Sequence, residues 1–101
     1  MGSRLELQGL LERVLGSKSA YFQPPENVKM SYPAIVYSLD DIWHDHADNL
    51  PYISKNAYQI TLIDRNPESE FVSKISSLPL CSFDRPYVAD NLNHWVFTMY
   101  Y

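Results

Sequence analysis

The chain has 101 residues, 12 Asp and Glu against 8 Lys and Arg, and a formal charge of -4. That length fits one domain with a core of its own, and 46% apolar with 20% charged residues is a globular composition, not a disordered one. There is no basic stripe to neutralise phosphates and no apolar run of membrane-spanning length; with Cys81 as its only cysteine, the chain has neither an internal disulfide nor a thiolate zinc site. The charge is unevenly placed. No base falls between Lys29 and Lys55, whereas Asp40, Asp41, Asp45 and Asp48 all do. Without those four, eight acids face eight bases, so one segment carries the whole net charge.

The first predicted element is an amphipathic helix. Ser3 and Glu6 make an S-x-x-E capping box, Leu7, Leu10, Leu11, Val14 and Leu15 follow at helical spacing, and Gly16 ends the run. Gly9 inside it costs about 1 kcal/mol against Ala, which suggests a close approach of another backbone. Ala20 to Gln23 reads as a short extended piece, and Pro24 to Pro33, with three prolines, as an irregular excursion. Ala34 to Leu39 and Ser54 to Ile63 read as strands, and Asp40 to Pro51, where the hydrophobic pattern breaks, as their connection. Together they make a long β-hairpin with an acidic tip.

A second helix is expected from Asn66 as N-cap and Pro67 at its first position, with Phe71, Val72, Ile75 and Leu78 as the apolar stripe and Pro79 as the stop. Leu80 to Val88 is a strand that Pro86 assigns to an edge or a bulge. Asp90-Asn91 turns the chain into a final strand, Leu92 to Tyr101, apolar on both faces and therefore covered on both, by the helices and a neighbouring subunit. The order is α-β-β-β-α-β-β. It describes a single α+β domain over residues 1–101, two helices packed on a mostly antiparallel sheet.

Few residues carry a chemical signal. His44, His46 and Asp48, with Asp41, have the donor types for a divalent ion such as zinc or manganese. They lack an H-E-x-x-H pattern or a calcium-loop glycine, so a solvated hairpin tip is the plainer reading and a small metal protein or metal-assisted hydrolase the alternative. Asp40 and Asp41, adjacent on a strand, point to opposite faces and do not form an acid/base pair. His94 has no nucleophile at a recognisable spacing, Cys81 has no base beside it, and none of the three glycines forms a phosphate loop. The expectation is a protein without catalytic residues or cofactor. What remains is aromatic surface: with eight Tyr and two Trp, subunit contacts are expected at Tyr32, Tyr37, Trp43, Tyr52, Trp95 and Tyr101.

Several segments also resemble a known family. The runs Tyr21-Phe22-Gln23-Pro24-Pro25 and Val28-Lys29-Met30-Ser31-Tyr32-Pro33-Ala34-Ile35-Val36-Tyr37 are similar to small structural proteins of long-tailed phages. So are Tyr58-Gln59-Ile60-Thr61-Leu62-Ile63-Asp64-Arg65-Asn66-Pro67, Leu78-Pro79-Leu80-Cys81-Ser82-Phe83-Asp84-Arg85 and Ala89-Asp90-Asn91-Leu92-Asn93-His94-Trp95-Val96-Phe97. The likeness runs from Leu5 to Tyr101 and is to head–tail joining, tail completion or tail terminator proteins. It implies a virion component of the tail or neck, made in the host cytoplasm, that self-associates into a hexameric ring without membrane contact. It further implies partners in the tail-tube protein and the head–tail connector, with DNA passing through unbound. In such a ring Asp40, Asp41, Asp45 and Asp48 are the lumen-facing candidates, a belt of negative charge that repels the passing DNA.

Overall fold

A computed structural model describes residues 4–24, 29–47 and 50–101; the side chains of 41–47 and 50–55 lie outside that description. The elements are α1 (Arg4–Leu15), β1 (Ala20–Phe22), β2 (Ala34–Ala47), β3 (Leu50–Asp64), α2 (Phe71–Ser76), β4 (Cys81–Ala89) and β5 (Leu92–Tyr100). This is the α+β order expected from sequence. The five strands form one sheet in the order β1-β2-β3-β5-β4, antiparallel throughout except for the parallel β1–β2 pair.

Both helices contribute to one core. Leu7, Leu11 and Leu15 recur every fourth residue, so α1 buries a single stripe. The stripe meets Ile35 and Tyr37 of β2, Tyr58, Ile60 and Leu62 of β3, Phe97 and Met99 of β5, and Ile75 of α2. The register accounts for that set. Tyr37 stands opposite Ile60, and Ile60 opposite Phe97, so period-two alternation puts them in one row on one face. Gly16 closes α1 with φ +72, and the N–H groups of Gly16 and Ser17 both donate to the Glu12 carbonyl, at 2.9 and 3.3 Å. Ser3 lies outside the described residues. Gly9 is not a site of close approach: a Cβ there meets nothing within 4 Å.

A polar seam crosses this core. The Tyr37 hydroxyl donates to Gln8 Oε1, and Gln8 Nε2 donates to the Ala20 carbonyl at 2.8 Å and to Glu12 Oε2 at 3.0 Å. The bonds tie α1 to β1 and β2, and a buried hydroxyl that would otherwise oppose folding is satisfied.

The face away from the helix stripe is buried at several points as well, with Ala34 at 0% exposure, Ala57 at 3% and Val96 at 1%, while Val36, Gln59 and Thr61 are half-buried. Cover on both faces of β5 was expected. On that far face Val96 is buried within the chain, while Leu92, His94 and Thr98 are half-buried and Tyr100 is exposed.

Two element boundaries differ from the sequence reading. Asn66 does not cap α2: its Oδ1 accepts from the Glu68 N–H at 3.0 Å and holds a turn, while Ser69 Oγ accepts from the Phe71 N–H at 3.3 Å where the helix begins. The second helix is therefore only six residues long. The β2–β3 ladder, in turn, runs far into the acidic stretch, to Ala47 paired with Leu50, with irregularities between Leu39 and Asp41 and between Asp45 and His46. The β4–β5 hairpin turns at Asp90 and Asn91, with φ +54 and +61, the type I′ signature that suits these residues.

Candidate assembly surface

The sheet is narrower than its longest strands. β5 pairs with β3 only over residues 57–64, extended by one mutual backbone pair between Asn56 and Tyr101 at 3.2 and 2.9 Å. On the other side β1 covers β2 only at Ile35, Val36 and Tyr37. Gln23 finishes that edge: its N–H donates to the Tyr37 carbonyl at 2.9 Å and its Oε1 accepts from the Leu39 N–H at 3.2 Å. Past these points, residues 43–47 and 50–55 pair only with each other among the described residues, whereas Asp41 and Ile42 pair with Ala57 and Asn56 where the sheet ends. Six residues of strand reach roughly 20 Å. The arm explains the shape, which is 50 Å long and 22–23 Å across, with a radius of gyration of 14.4 Å.

At the opposite edge lies β4, whose residues from Ser82 to Val88 are all exposed. Leu80, at 56%, precedes Phe83 at 47%, Tyr87 at 43% and Val88 at 70%. The Phe83 ring stands edge-on to Phe97 at 5.4 Å, which anchors one of them to the core. Tyr87 stacks on His94 at 4.5 Å, and His94 Nδ1 lies 3.0 Å from the Leu92 carbonyl, placing the ring proton on that nitrogen when neutral. The edge is also guarded. A bulge falls between Phe83 and Arg85, and Asp84 pairs with Arg85 at 2.7 Å. Pro86 lies opposite Trp95. Pairs alternate back from the Asp90–Asn91 turn, so this is a non-hydrogen-bonded pair, and the donor that Pro86 lacks would have pointed outward. Backbone pairing by an incoming strand is interrupted there.

Beside β4 a solvent-open groove of about 290 Å³ is lined by Pro67, Pro86, Val88, Asn93 and Trp95, with the Tyr87–His94 pair also contributing.

The residues expected at subunit contacts are scattered across this architecture. Tyr37 is not available: it is 0% exposed, at the centre of the chain's own core. Aromatic abundance had suggested it as surface, but the alternation of β2 puts it on the helix face, where its hydroxyl reaches Gln8 of α1. Burial also pushes its hydroxyl pKa up, partly offset by the nearby Arg4 guanidinium. Tyr32 is half-buried, with the Arg65 guanidinium 5.7 Å above its ring. Trp95 and Tyr101 are partly buried against the core rim. Trp43 and Tyr52 lie on the arm, and their side chains are outside the described residues. Asp40 is exposed at the root of the arm, at the ladder's irregularity. Asp41 and Asp45 are on the arm strands with His44 and His46, all with side chains outside the description, and Asp48 lies outside it altogether. Among the described residues no group of three His, Cys, Asp or Glu is placed to hold a metal ion. Burial raises the Cys81 thiol to about 11, so at neutral pH it is a poor nucleophile. No described helix is long and apolar enough to cross a membrane.

Sequence reasoning missed Phe83, Tyr87 and Val88 as exposed surface, although Pro86 had marked their strand as an edge. It missed the groove because Pro67 was assigned to a helix. No family model, curated protein or solved structure matches the chain.

Proposed function

We propose that the protein is a structural subunit that assembles through its arm and carries out no catalysis. The observation that carries this reading is the β2–β3 ladder continuing past the sheet on residues 43–47 and 50–55. A free two-stranded ribbon is marginal in water, so an arm of this length gains most from lying on another molecule. The β4 edge at the far side of the same sheet offers a different surface. Two unlike surfaces on opposite sides suit a head-to-tail contact, which closes into a ring when the rotation allows.

The resemblance to tail completion and tail terminator proteins gives this assembly its setting. In that setting the chain is a neck component of a long-tailed phage, a ring of six capping the tail tube and meeting the head connector. The aspartates from Asp40 to Asp48 are then repeated around the ring, and DNA is repelled from that surface instead of being held by it.

The test is an arm truncation in which residues 41–55 are replaced by an Asn-Gly turn. We expect annular particles in negative-stain images of the full chain and a monomer by light scattering for the truncated one. Equal assembly by both chains, or a full chain that stays monomeric at high concentration, counts against the proposal.

A further inference from the structure

We propose that the groove between Pro67 and Pro86, floored by Trp95, docks an extended basic segment of a partner protein that presents a proline. The groove adjoins the β4 edge that the assembly reading also uses, so peptide binding is measured at a concentration at which light scattering shows a monomer, which keeps failure of either reading distinguishable. The groove, of about 290 Å³, is small for enclosing a whole ligand but adequate for one or two side chains of a peptide laid across it. An indole and two pyrrolidine rings lining one groove make a surface on which polyproline-type segments pack, since their fixed backbone loses little entropy on binding. Val88, 70% exposed, widens the apolar floor at the strand's outer end.

The polar details favour the same occupant. Asn93 Nδ2 donates to the carbonyls of Asp64 and Arg65 at 3.4 and 3.3 Å, which fixes the amide and leaves Oδ1 to accept from a ligand. No Asp, Glu, Lys or Arg lines the groove. Within three positions of the lining residues stand Asp64, Glu68, Glu70, Asp84 and Asp90, against two bases: Arg65, whose guanidinium is turned over Tyr32, and Arg85, which pairs with Asp84. The surround is therefore net acidic, and complementary charge selects a segment carrying Lys or Arg. A second copy of this acidic chain is the poorer fit. Because Pro86 interrupts the outward ladder of β4, the segment enters by its side chains and not as an added strand. A polyproline-type backbone, which needs no ladder, meets that condition.

The full-length chain, labelled with ¹⁵N, is titrated with the synthetic peptide Lys-Pro-Pro-Val-Pro-Lys-Pro-Arg and with the same peptide carrying Glu at every basic position. We expect saturable shifts of the Trp95 indole N–H and of the Val88 and Asn93 amides with the basic peptide, and none with the acidic one. Val88→Ser, which removes apolar contact without adding charge at an exposed site where folding is not at stake, weakens binding about tenfold. Glu68→Gln combined with Asp90→Asn, which keeps a turn-compatible residue, weakens it about fivefold at low salt and little at high salt. The proposal is overturned if the basic peptide moves no groove signal, if the acidic peptide binds equally well, or if the groove signals shift with protein concentration alone, which would assign the groove to a second copy.

Discussion

The same two strands, β2 and β3, pass through two environments. In the body Ile35, Tyr37, Ile60 and Leu62 are fully buried beneath the helices. In the arm the backbone pairing continues on residues 43–47 and 50–55 with no flanking strand among the described residues. The contrast separates two quantities that usually travel together, pairing and burial. Stability resides where the second layer lies over the ladder, and reach where it does not.

The sharpest way to test that division is to damage each half in turn. Phe97→Ala, at the centre of the core and in contact with Phe83, is expected to cost about 3–5 kcal/mol in urea unfolding. Replacing residues 41–55 by a turn is expected to cost less than about 1 kcal/mol in the same measurement. An arm truncation as damaging as Phe97→Ala would mean that the two halves are not energetically distinct.

The polar seam gives an intermediate effect. Tyr37→Phe removes the donor to Gln8 and leaves that amide oxygen short of a partner, a loss of about 1–2 kcal/mol. The substitution also has a pH signature. Tyr37 ionises at higher pH in the folded chain than in the unfolded one, because burial disfavours the phenolate. Its contribution is thus complete below the ordinary tyrosine pKa of 10.0 and declines as pH rises beyond it. Stability measured from pH 9 to 11 should fall less steeply in Tyr37→Phe than in the parent. An identical slope would mean that the seam is open to water.

The smallest change expected is a gain. Gly9→Ala places a methyl group in open space on α1 and should raise stability by about 1 kcal/mol through helix propensity alone. A loss in thermal unfolding would show that a neighbour packs against this helix face in solution.

The same division explains what the sequence could tell. Hydrophobic alternation reports burial, so it located Ala34–Leu39 and the later part of β3, and it fell silent at Asp40 although the ladder does not stop there. Pro86 and the Asp90–Asn91 turn were legible because each acts through its own backbone chemistry, whatever packs around it. Asn66 was misread because it serves a turn as readily as a helix cap, and the burial of Ser69 at 8% exposure, invisible in the sequence, goes with the later helix start. Tyr37 was misplaced for a related reason: an aromatic ring with a polar tip suits an interface or a core, and the Gln8 partner that decides between them is 29 positions away. The groove was hidden because it joins the loop before α2 to β4 and β5, and no local pattern records that meeting.

Pro86 has a consequence for the protein at high concentration. A bare sheet edge is a template on which identical chains can stack without limit, and each added chain exposes a fresh copy of the same edge. The missing N–H halfway along β4 makes such a stack faulty at its first step, and the ion pair of Asp84 and Arg85 adds charge beside the fault. Open-ended growth into fibres is thereby discouraged on the side of the molecule that carries its most exposed aromatic and aliphatic side chains. Contacts made there are steered toward ones that saturate, so a chain with this much exposed apolar surface can accumulate without polymerising through β4.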